Sequence, residues 1–383
     1  MSIASSSNTS GGSRARRAWV QVHLWLGLTL GVVGALIGLS GSVLVFDDAI
    51  DEALNPQRYA ISGPRIGLPY GEYAKRAGAA LGAGARVAAL RLPDREDGPV
   101  VVLARTGNGP FQRAYLDPED GRVLDVASGR DWLGFLHAFH ESLTLRDYSG
   151  REIVGAIGIA MLISSLSGIY LWWPIAGSRV SFGFRRGRAL SRNLHYTFGF
   201  WGSLVLALLS FTGIFLAYPE AGRSTVAAFA PISASPRNVR ATEGAGPMID
   251  ADAAVAVARG LYPAATVVGV GMPAGPRGAY RVSLREPGDD GPRPAAAVFV
   301  DPRTRAVLLR TDRSSRTAGD TFLAWQRILH EGSVFGPVWR TLVFAGGVLP
   351  PLLMITGLFI WLASRARKRR VRALAMATAR GDD

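Results

Sequence analysis

Four long stretches of this chain are strongly apolar and contain no Asp, Glu, Lys or Arg. They cover residues 18–46, 153–178, 193–219 and 341–364. A membrane-spanning helix needs about 20 apolar residues at about 1.5 Å per residue, and each stretch exceeds that length. Four buried helices of a soluble protein are the alternative interpretation, but the length of the stretches favours spans. The sequence therefore predicts four transmembrane helices, TM1 to TM4 in this order.

The positive charge of the chain is concentrated beside these spans. The 43 Lys and Arg outnumber the 29 Asp and Glu, which gives a net charge of +14. Nearly all of this excess lies in residues 1–17, 179–192 and 365–383. Basic residues in short segments next to spans follow the positive-inside rule, whereas a nucleic-acid-binding face would spread them over a folded domain among aromatic side chains. The distribution predicts that these three segments are cytoplasmic, that residues 47–152 and 220–340 are external, and that nucleic acid is not a partner.

The first predicted span resembles a secretory signal, because Arg14, Arg16 and Arg17 precede it. It is longer than the apolar region of a signal sequence, and no small-residue cleavage site stands out. We therefore interpret residues 18–46 as an uncleaved anchor.

Both external segments have the pattern of a small α+β module. A predicted helix, Tyr70–Leu81 in the first and Ala251–Leu261 in the second, precedes short apolar strands. The predicted strands are 87–92, 100–104, 113–116 and 122–126 in the first module, and 265–270, 279–284, 296–300 and 306–309 in the second. Asp117-Pro118 and Asp301-Pro302 mark equivalent turns. Each module is predicted to pack one helix on a small antiparallel sheet.

The two halves of the chain repeat each other, which indicates an internal duplication. A constant offset maps His23 onto His195 and Gly27 onto Gly199, and a second offset maps His140 onto His330. Each half reads as span, external module, span. The fold class predicted from this order is a four-helix transmembrane bundle with approximate two-fold symmetry about the membrane normal and two external α+β modules.

Four of the five histidines fall into two equivalent pairs. His23 and His195 each lie near the cytoplasmic start of a span. His140 and His330 each lie on a predicted external amphipathic helix just before a span. Two neutral imidazoles inside an apolar bundle can bind the iron of a b-type haem from both sides, and the absence of cysteine excludes covalent c-type haem and iron–sulfur clusters. A single histidine in such a place is ordinarily a packing or hydrogen-bonding residue, but the repetition favours two haems.

Further residues accompany the histidine pairs. Gly27 and Gly199 follow a histidine by four residues, on the same helix face, and leave space for a porphyrin plane. His137 shares a helix face with His140, so that either can be the outer ligand. Arg327 is the nearest match of His137 in the second half. Both can pair with haem propionates at the outer site, and a solvated surface role is the alternative.

A Ser-Gly or Thr-Gly pair recurs in all four spans. The pairs are Ser40-Gly41, Ser167-Gly168, Thr212-Gly213 and Thr356-Gly357. Small residues in spans ordinarily permit close helix packing, and we favour that interpretation of these pairs; a haem-related role is the alternative.

The motifs together resemble the PepSY-associated transmembrane family. They are HLWLG at 23–27, HYTFG at 195–199, FHE at 139–141, LHEG at 329–332 and SGIYLWWP in TM2. The similarity runs from about Ala18 to Trp361, and the external modules resemble PepSY domains. Arg305 stands where the Asp-Pro turn of the first module has Gly121, which puts a shared role of that turn in doubt.

The resemblance implies a function, because the family includes ferric-siderophore reductases of the bacterial inner membrane that hold two b haems. It implies His23 and His195 as cytoplasmic-side ligands, and His140 and His330 as periplasmic-side ligands. Electrons would pass from a cytoplasmic donor to a ferric siderophore. The chain has no convincing dinucleotide or flavin fingerprint, so the donor would be a separate flavoprotein reductase or a quinol. A haem electron-transfer subunit for another periplasmic acceptor and a non-redox PepSY sensor or inhibitor are the open alternatives.

Overall fold

The chain folds into two units. The computed structural model describes residues 9–381 apart from 108, 110, 129–130, 177–187, 234–238, 244–245, 290, 292–293 and 295. The helical unit comprises the chain up to Val45, His137–Gly222 and the chain from Trp325 onward. The sheet unit comprises Phe46–Leu136 and Arg223–Ala324. Arg179, Arg185 and Arg186 of the predicted cytoplasmic loop lie outside the described residues.

Long apolar helices form the helical unit. They are α1 (Thr9–Thr29), α2 (Gly31–Leu44), α6 (Gly150–Ala176), α7 (Arg188–Ala217) and α11 (Gly336–Gly381). Two shorter helices, α5 (Trp132–Ser142) and α10 (Ala318–Glu331), begin in the sheet unit and end in the helical unit. Within the described residues, α6, α7 and α11 are each long and apolar enough to cross a membrane. The chain is therefore a membrane protein.

The predicted span TM1 is not one straight helix. It is divided between α1 and α2, which are bent by 64° relative to each other at Leu30. Glycines are common at sharp bends because they weaken the helix locally, and Gly27 and Gly31 flank this one. A β-carbon on Gly31 would lie 2.8 Å from Cγ of Met354 in α11, so the missing side chain also permits close packing there. The pair α1 and α2 is either a broken span or a re-entrant segment by length and composition.

The sheet unit contains one antiparallel sheet of eight strands in the described part of the chain. The strands are β1 (Ala85–Arg91), β2 (Val100–Thr106), β3 (Phe111–Leu116), β4 (Val123–Ala127), β5 (Thr266–Gly271), β6 (Tyr280–Arg285), β7 (Ala296–Val300) and β8 (Val307–Thr311). Their order is β4-β3-β2-β1-β5-β6-β7-β8. The two predicted modules are thus joined edge to edge through β1 and β5, where Leu90 lies opposite Val270.

Two helices cover one face of this sheet. They are α4 (Tyr70–Leu81) and α9 (Ala251–Leu261). Two further helices, α3 (Asp47–Leu54) and α8 (Pro219–Ala227), follow α2 and α7 along the chain. Tyr73 and Ala77 of α4, and Ala254 and Ala258 of α9, are fully buried in the core with the strands. Alternate strand residues point to this core because strand side chains alternate between faces. The buried residues of both helices and of both halves of the sheet form one hydrophobic core. Burial of each large apolar side chain in it contributes about 1.5–3 kcal/mol.

The two Asp-Pro turns have the same construction. Asp117 and Asp301 are completely buried, and each carboxylate accepts backbone N–H groups from its own turn and from a distant segment. Burial alone would raise the pKa of each carboxyl, but these hydrogen bonds lower the pKa of both. Gly121 has φ 68° and Arg305 has φ 62°, so both turns use a left-handed residue at the same place. The second turn therefore has the same conformation as the first, although it has Arg305 where the first turn has Gly121.

We expect Arg305→Gly to stabilise the sheet unit by about 1 kcal/mol, because the left-handed conformation costs a residue with a β-carbon about 1–2 kcal/mol. Thermal unfolding of the full-length protein in detergent should show the transition of this unit about 2–4 °C higher. Gly121→Ala is the matched opposite change, since its β-carbon would collide with Leu68 Cδ1. It should lower the same transition. A lower transition for Arg305→Gly would contradict the equivalence of the two turns.

Candidate functional site

His23 and His195 face each other in the helical unit. They lie on α1 and α7, and both side chains are half-buried. Their ring centres are 6.3 Å apart, and their planes are inclined by 85°. The repeat places the two residues at equivalent positions, and the structure brings them together.

His140 and His330 form a second pair of the same kind. They lie on α5 and α10, in the parts of those helices that belong to the helical unit. Their ring centres are 6.1 Å apart, and their planes are inclined by 48°. Desolvation is the largest cause that lowers the pKa of His140, and it lowers the pKa of His330 to about 4. Both imidazoles are therefore neutral at pH 7, which is the form that binds metals.

The two pairs lie far apart along the bundle. His195 lies near the start of α7, and Thr212, which contacts His330, lies near the end of the same helix. Because each residue of a helix adds about 1.5 Å, the two residues are about 25 Å apart along α7. This distance is close to the thickness of the hydrocarbon core of a bilayer, about 30 Å.

Each of the four histidines is held on a neighbouring helix by a Ser/Thr-Gly pair, which we call its seat. In every seat, Nδ1 of the histidine lies within 3.1 Å of one backbone carbonyl oxygen and one hydroxyl oxygen. The seats are Ser164 O and Ser167 Oγ for His23, Leu353 O and Thr356 Oγ1 for His195, Ile37 O and Ser40 Oγ for His140, and Leu209 O and Thr212 Oγ1 for His330. With Nδ1 bonded in this way, Nε2 remains as the metal-binding nitrogen.

The glycine of each seat makes room for the imidazole. A β-carbon on Gly41 would lie 2.6 Å from Cε1 of His140, and one on Gly213 would lie 3.1 Å from Cε1 of His330. The corresponding distance is 3.3 Å for Gly168 with His23 and for Gly357 with His195. The sequence analysis favoured general helix packing for these pairs over a haem-related role, and it did not predict their contact with the imidazoles. The recurrence of the pair in all four spans was the signal that could have found it.

The residues of both pairs fit a haem. Two imidazoles that bind one metal from opposite sides have ring centres about 6 Å apart, because each metal–nitrogen bond is about 2 Å and each nitrogen lies about 1 Å from its ring centre. The distances of 6.3 and 6.1 Å match this value. No three His, Asp or Glu side chains converge as a site for a bare metal ion among the described residues. A histidine pair is sufficient for haem, since the porphyrin supplies the other four ligands.

An unpartnered donor lies beside the His23 and His195 pair. Trp172 follows Gly168 by four residues, so both lie on the same face of α6. Its ring stacks on Phe200 of α7 with centres 3.8 Å apart. Its Nε1 is buried and has no hydrogen-bond partner in the described part of the chain. A buried N–H group ordinarily has an acceptor, and a haem propionate would supply one here.

The remaining candidates have different surroundings. A β-carbon on Gly27 would meet no atom within 4 Å, and one on Gly199 would meet only Leu353 at 3.6 Å, so both leave space on the helix surface. His140 contacts the Ser40-Gly41 seat and faces His330, whereas His137 lies one turn earlier on α5. Arg327 forms an ion pair with Glu331 at 2.8 Å.

The sequence matches one protein family. Its sequence model, described as the PepSY-associated TM region, covers residues 20–364. This range includes all four histidines of the two pairs and all four seats. No curated protein matches the chain.

Proposed function

The chain belongs to the PepSY-associated TM family, and we propose that it is a di-haem b reductase of the bacterial inner membrane. In this proposal it passes electrons from the cytoplasmic side to a ferric siderophore in the periplasm. The reduced iron is then released for uptake.

The observation that carries this proposal is the presence of two facing histidine pairs, about 25 Å apart along α7, each with the ring separation of a bis-histidine site. A haem in such a site supplies one-electron chemistry between Fe(III) and Fe(II). If both imidazoles of a pair bound the haem iron, no site would remain on that iron for a substrate. This arrangement favours electron transfer over oxygen or substrate activation.

In this proposal the chain's own residues bind and orient the two haems and exclude water from the space between them. His23 and His195 would hold the cytoplasmic-side haem, and His140 and His330 would hold the periplasmic-side haem. The apolar helices α2, α6, α7 and α11 keep water away from the path between them. Trp172 would donate its free N–H to the cytoplasmic-side haem.

The proposed orientation in the membrane rests on the charge distribution. Arg14, Arg16 and Arg17 precede the first span, and the basic end of α11 follows the last, so the positive-inside rule assigns both termini to the cytoplasm. The donor is a separate flavoprotein reductase or a quinol. We propose that the acceptor takes its electron from the haem held by His140 of α5 and His330 of α10.

Reduction of a ferric siderophore balances as a one-electron step. The donor loses one electron, and the chelated Fe(III) gains it to become Fe(II). Hard oxygen donors of hydroxamate or catecholate type hold Fe(II) far less firmly than Fe(III). The iron then dissociates without cleavage of the siderophore.

We expect the purified protein to contain two haems per chain, and the anaerobically reduced protein to be reoxidised by a hydroxamate or catecholate ferric siderophore. Absorbance of the reduced haems and a colorimetric Fe(II) chelator would follow the two sides of the reaction. The gallium complex of the same siderophore is the matched control, since Ga(III) has similar size and charge but accepts no electron under these conditions. Two haems that no ferric siderophore reoxidises would favour an electron-transfer subunit for another acceptor. If the purified protein showed no Soret absorption band of haem, the proposed function would be wrong.

A further inference from the structure

The hydroxyl groups of the four seats have a more specific task than packing. Resting on the proposed haem function, we propose that Ser40, Ser167, Thr212 and Thr356 are positioning residues that fix the tautomer and the orientation of the four histidines. Each hydroxyl, together with the backbone carbonyl oxygen of the same seat, accepts the Nδ1 proton of one histidine, which leaves Nε2 unprotonated.

The hydrogen-bond donors and acceptors around His23 and His195 determine which ring nitrogen carries the proton. A hydroxyl group has one proton to donate. Ser167 donates it to the carbonyl of Ser164 in its own helix at 2.9 Å, and Thr356 donates it to the carbonyl of Leu352 at 2.7 Å. The hydroxyl oxygens can then only accept from the histidines, and the nearby carbonyl oxygens of the seats can only accept as well. Nδ1 must therefore carry the proton in both histidines.

The same assignment of donors and acceptors applies to His140 and His330. Ser40 donates to the carbonyl of Ile37 at 2.8 Å, and Thr212 donates to the carbonyl of Leu208 at 2.9 Å. Their oxygens lie 3.1 Å from Nδ1 of His140 and 3.0 Å from Nδ1 of His330. Four independent seats thus select the same tautomer.

The seats also anchor each histidine to a helix other than its own. His23 of α1 is held on α6, His195 of α7 on α11, His140 of α5 on α2, and His330 of α10 on α7. The two contacts at Nδ1 restrict the rotation of each ring. The facing rings are inclined by 85° for His23 with His195 and by 48° for His140 with His330.

An acceptor on Nδ1–H makes the imidazole a stronger donor to the metal. A stronger donor stabilises Fe(III) relative to Fe(II), so it lowers the reduction potential of the haem. Loss of the hydroxyl should weaken haem binding by about 10-fold or more, the usual range for loss of such an outer partner being about 10–100-fold. It should also raise the potential of the one haem concerned.

The test compares Thr356→Val and Ser167→Ala with the unmodified protein. Thr356→Val keeps the shape of the side chain but removes the hydroxyl, and Thr356→Ser restores it. We expect the two hydroxyl-free variants to release the His23/His195 haem about 10-fold faster to an apo-globin acceptor, and to show a raised potential for that haem alone in a redox titration. Low-temperature electron paramagnetic resonance should show a changed signal for the same haem. Thr356→Ser should behave like the unmodified protein.

Ser165→Ala is the matched control. Ser165 is a buried neighbour in α6, and its hydroxyl bonds the carbonyl of Met161 in its own helix. Neither haem should change in this variant. If the unmodified protein holds two haems, and Thr356→Val and Ser167→Ala leave both release rates and both potentials unchanged, the positioning role is overturned while the proposed function stands. An unmodified protein without haem would overturn the proposed function and the positioning role together.

Discussion

We expect His195→Ala to reduce the haem content of the purified protein from two per chain to one. His195 and His23 would bind the same iron from opposite sides, since their ring centres are 6.3 Å apart. Loss of either imidazole removes a ligand from an apolar site that offers no replacement side chain of the same kind. His23→Ala should therefore give the same spectrum as His195→Ala, because the two changes empty the same site.

The His140 and His330 pair should behave independently. His140→Ala and His330→Ala should each remove the other haem and leave the first unchanged, because the pairs are about 25 Å apart along α7. The spectra of the four variants should thus fall into two groups of two. Pyridine haemochrome assays and reduced-minus-oxidised spectra measure this directly.

His137→Ala is the matched control for this series. It removes a histidine from the same helix as His140, but His140 is the residue that contacts Ser40 and faces His330. His137→Ala should keep two haems. Added imidazole should restore the missing band in His195→Ala, because the substitution leaves a space of the shape of the ring in front of an intact seat. Two haems in all four variants of the paired histidines would contradict the assignment of the ligands.

The local structure of the sheet unit could be predicted closely from the sequence. The two helices that cover the sheet, Tyr70–Leu81 and Ala251–Leu261, have the bounds that the sequence predicts, and all eight strands begin and end within two residues of the predicted bounds. Apolar alternation and turn residues act over a few positions, so they can be read from a short window. The predicted spans TM2, TM3 and TM4 correspond to α6, α7 and α11 for the same reason.

The relations between distant segments could not be predicted in that way. The pairing of β1 with β5 depends on the match of two strand edges far apart in the chain, and nothing in either strand alone indicates its partner. The bend at Leu30 lies where Gly31 packs closely against Met354 of α11, and the first span alone does not indicate this distant contact. His23 and His195 occupy matching positions of the sequence repeat, but which Ser/Thr-Gly pair holds which histidine could not be predicted, because each seat lies on a different helix from its histidine.

A graded loss of haem is expected when the seat glycines are replaced by alanine. A β-carbon on Gly41 would lie 2.6 Å from Cε1 of His140, which is closer than such contacts occur, and the ring cannot retreat without losing its bonds to Ile37 and Ser40. Gly41→Ala should therefore lose most of the His140/His330 haem. The β-carbon of Gly213→Ala would lie 3.1 Å from Cε1 of His330, so this variant should lower the occupancy of the same haem less than Gly41→Ala does.

The seats of the other pair should tolerate the same change better. At 3.3 Å from the histidine rings, Gly168→Ala and Gly357→Ala require a shift of only a few tenths of an ångström, so we expect a weakened His23/His195 haem rather than a lost one. Gly158→Ala in α6 is the control, because its β-carbon would make an ordinary contact of 3.4 Å with Ile214. Alanine favours a helix over glycine by about 1 kcal/mol, so general unfolding of the helices cannot account for a selective loss. The order Gly41, Gly213, then Gly168 and Gly357 in haem lost per chain would link the effect to ring displacement, and equal losses at all four positions would contradict it.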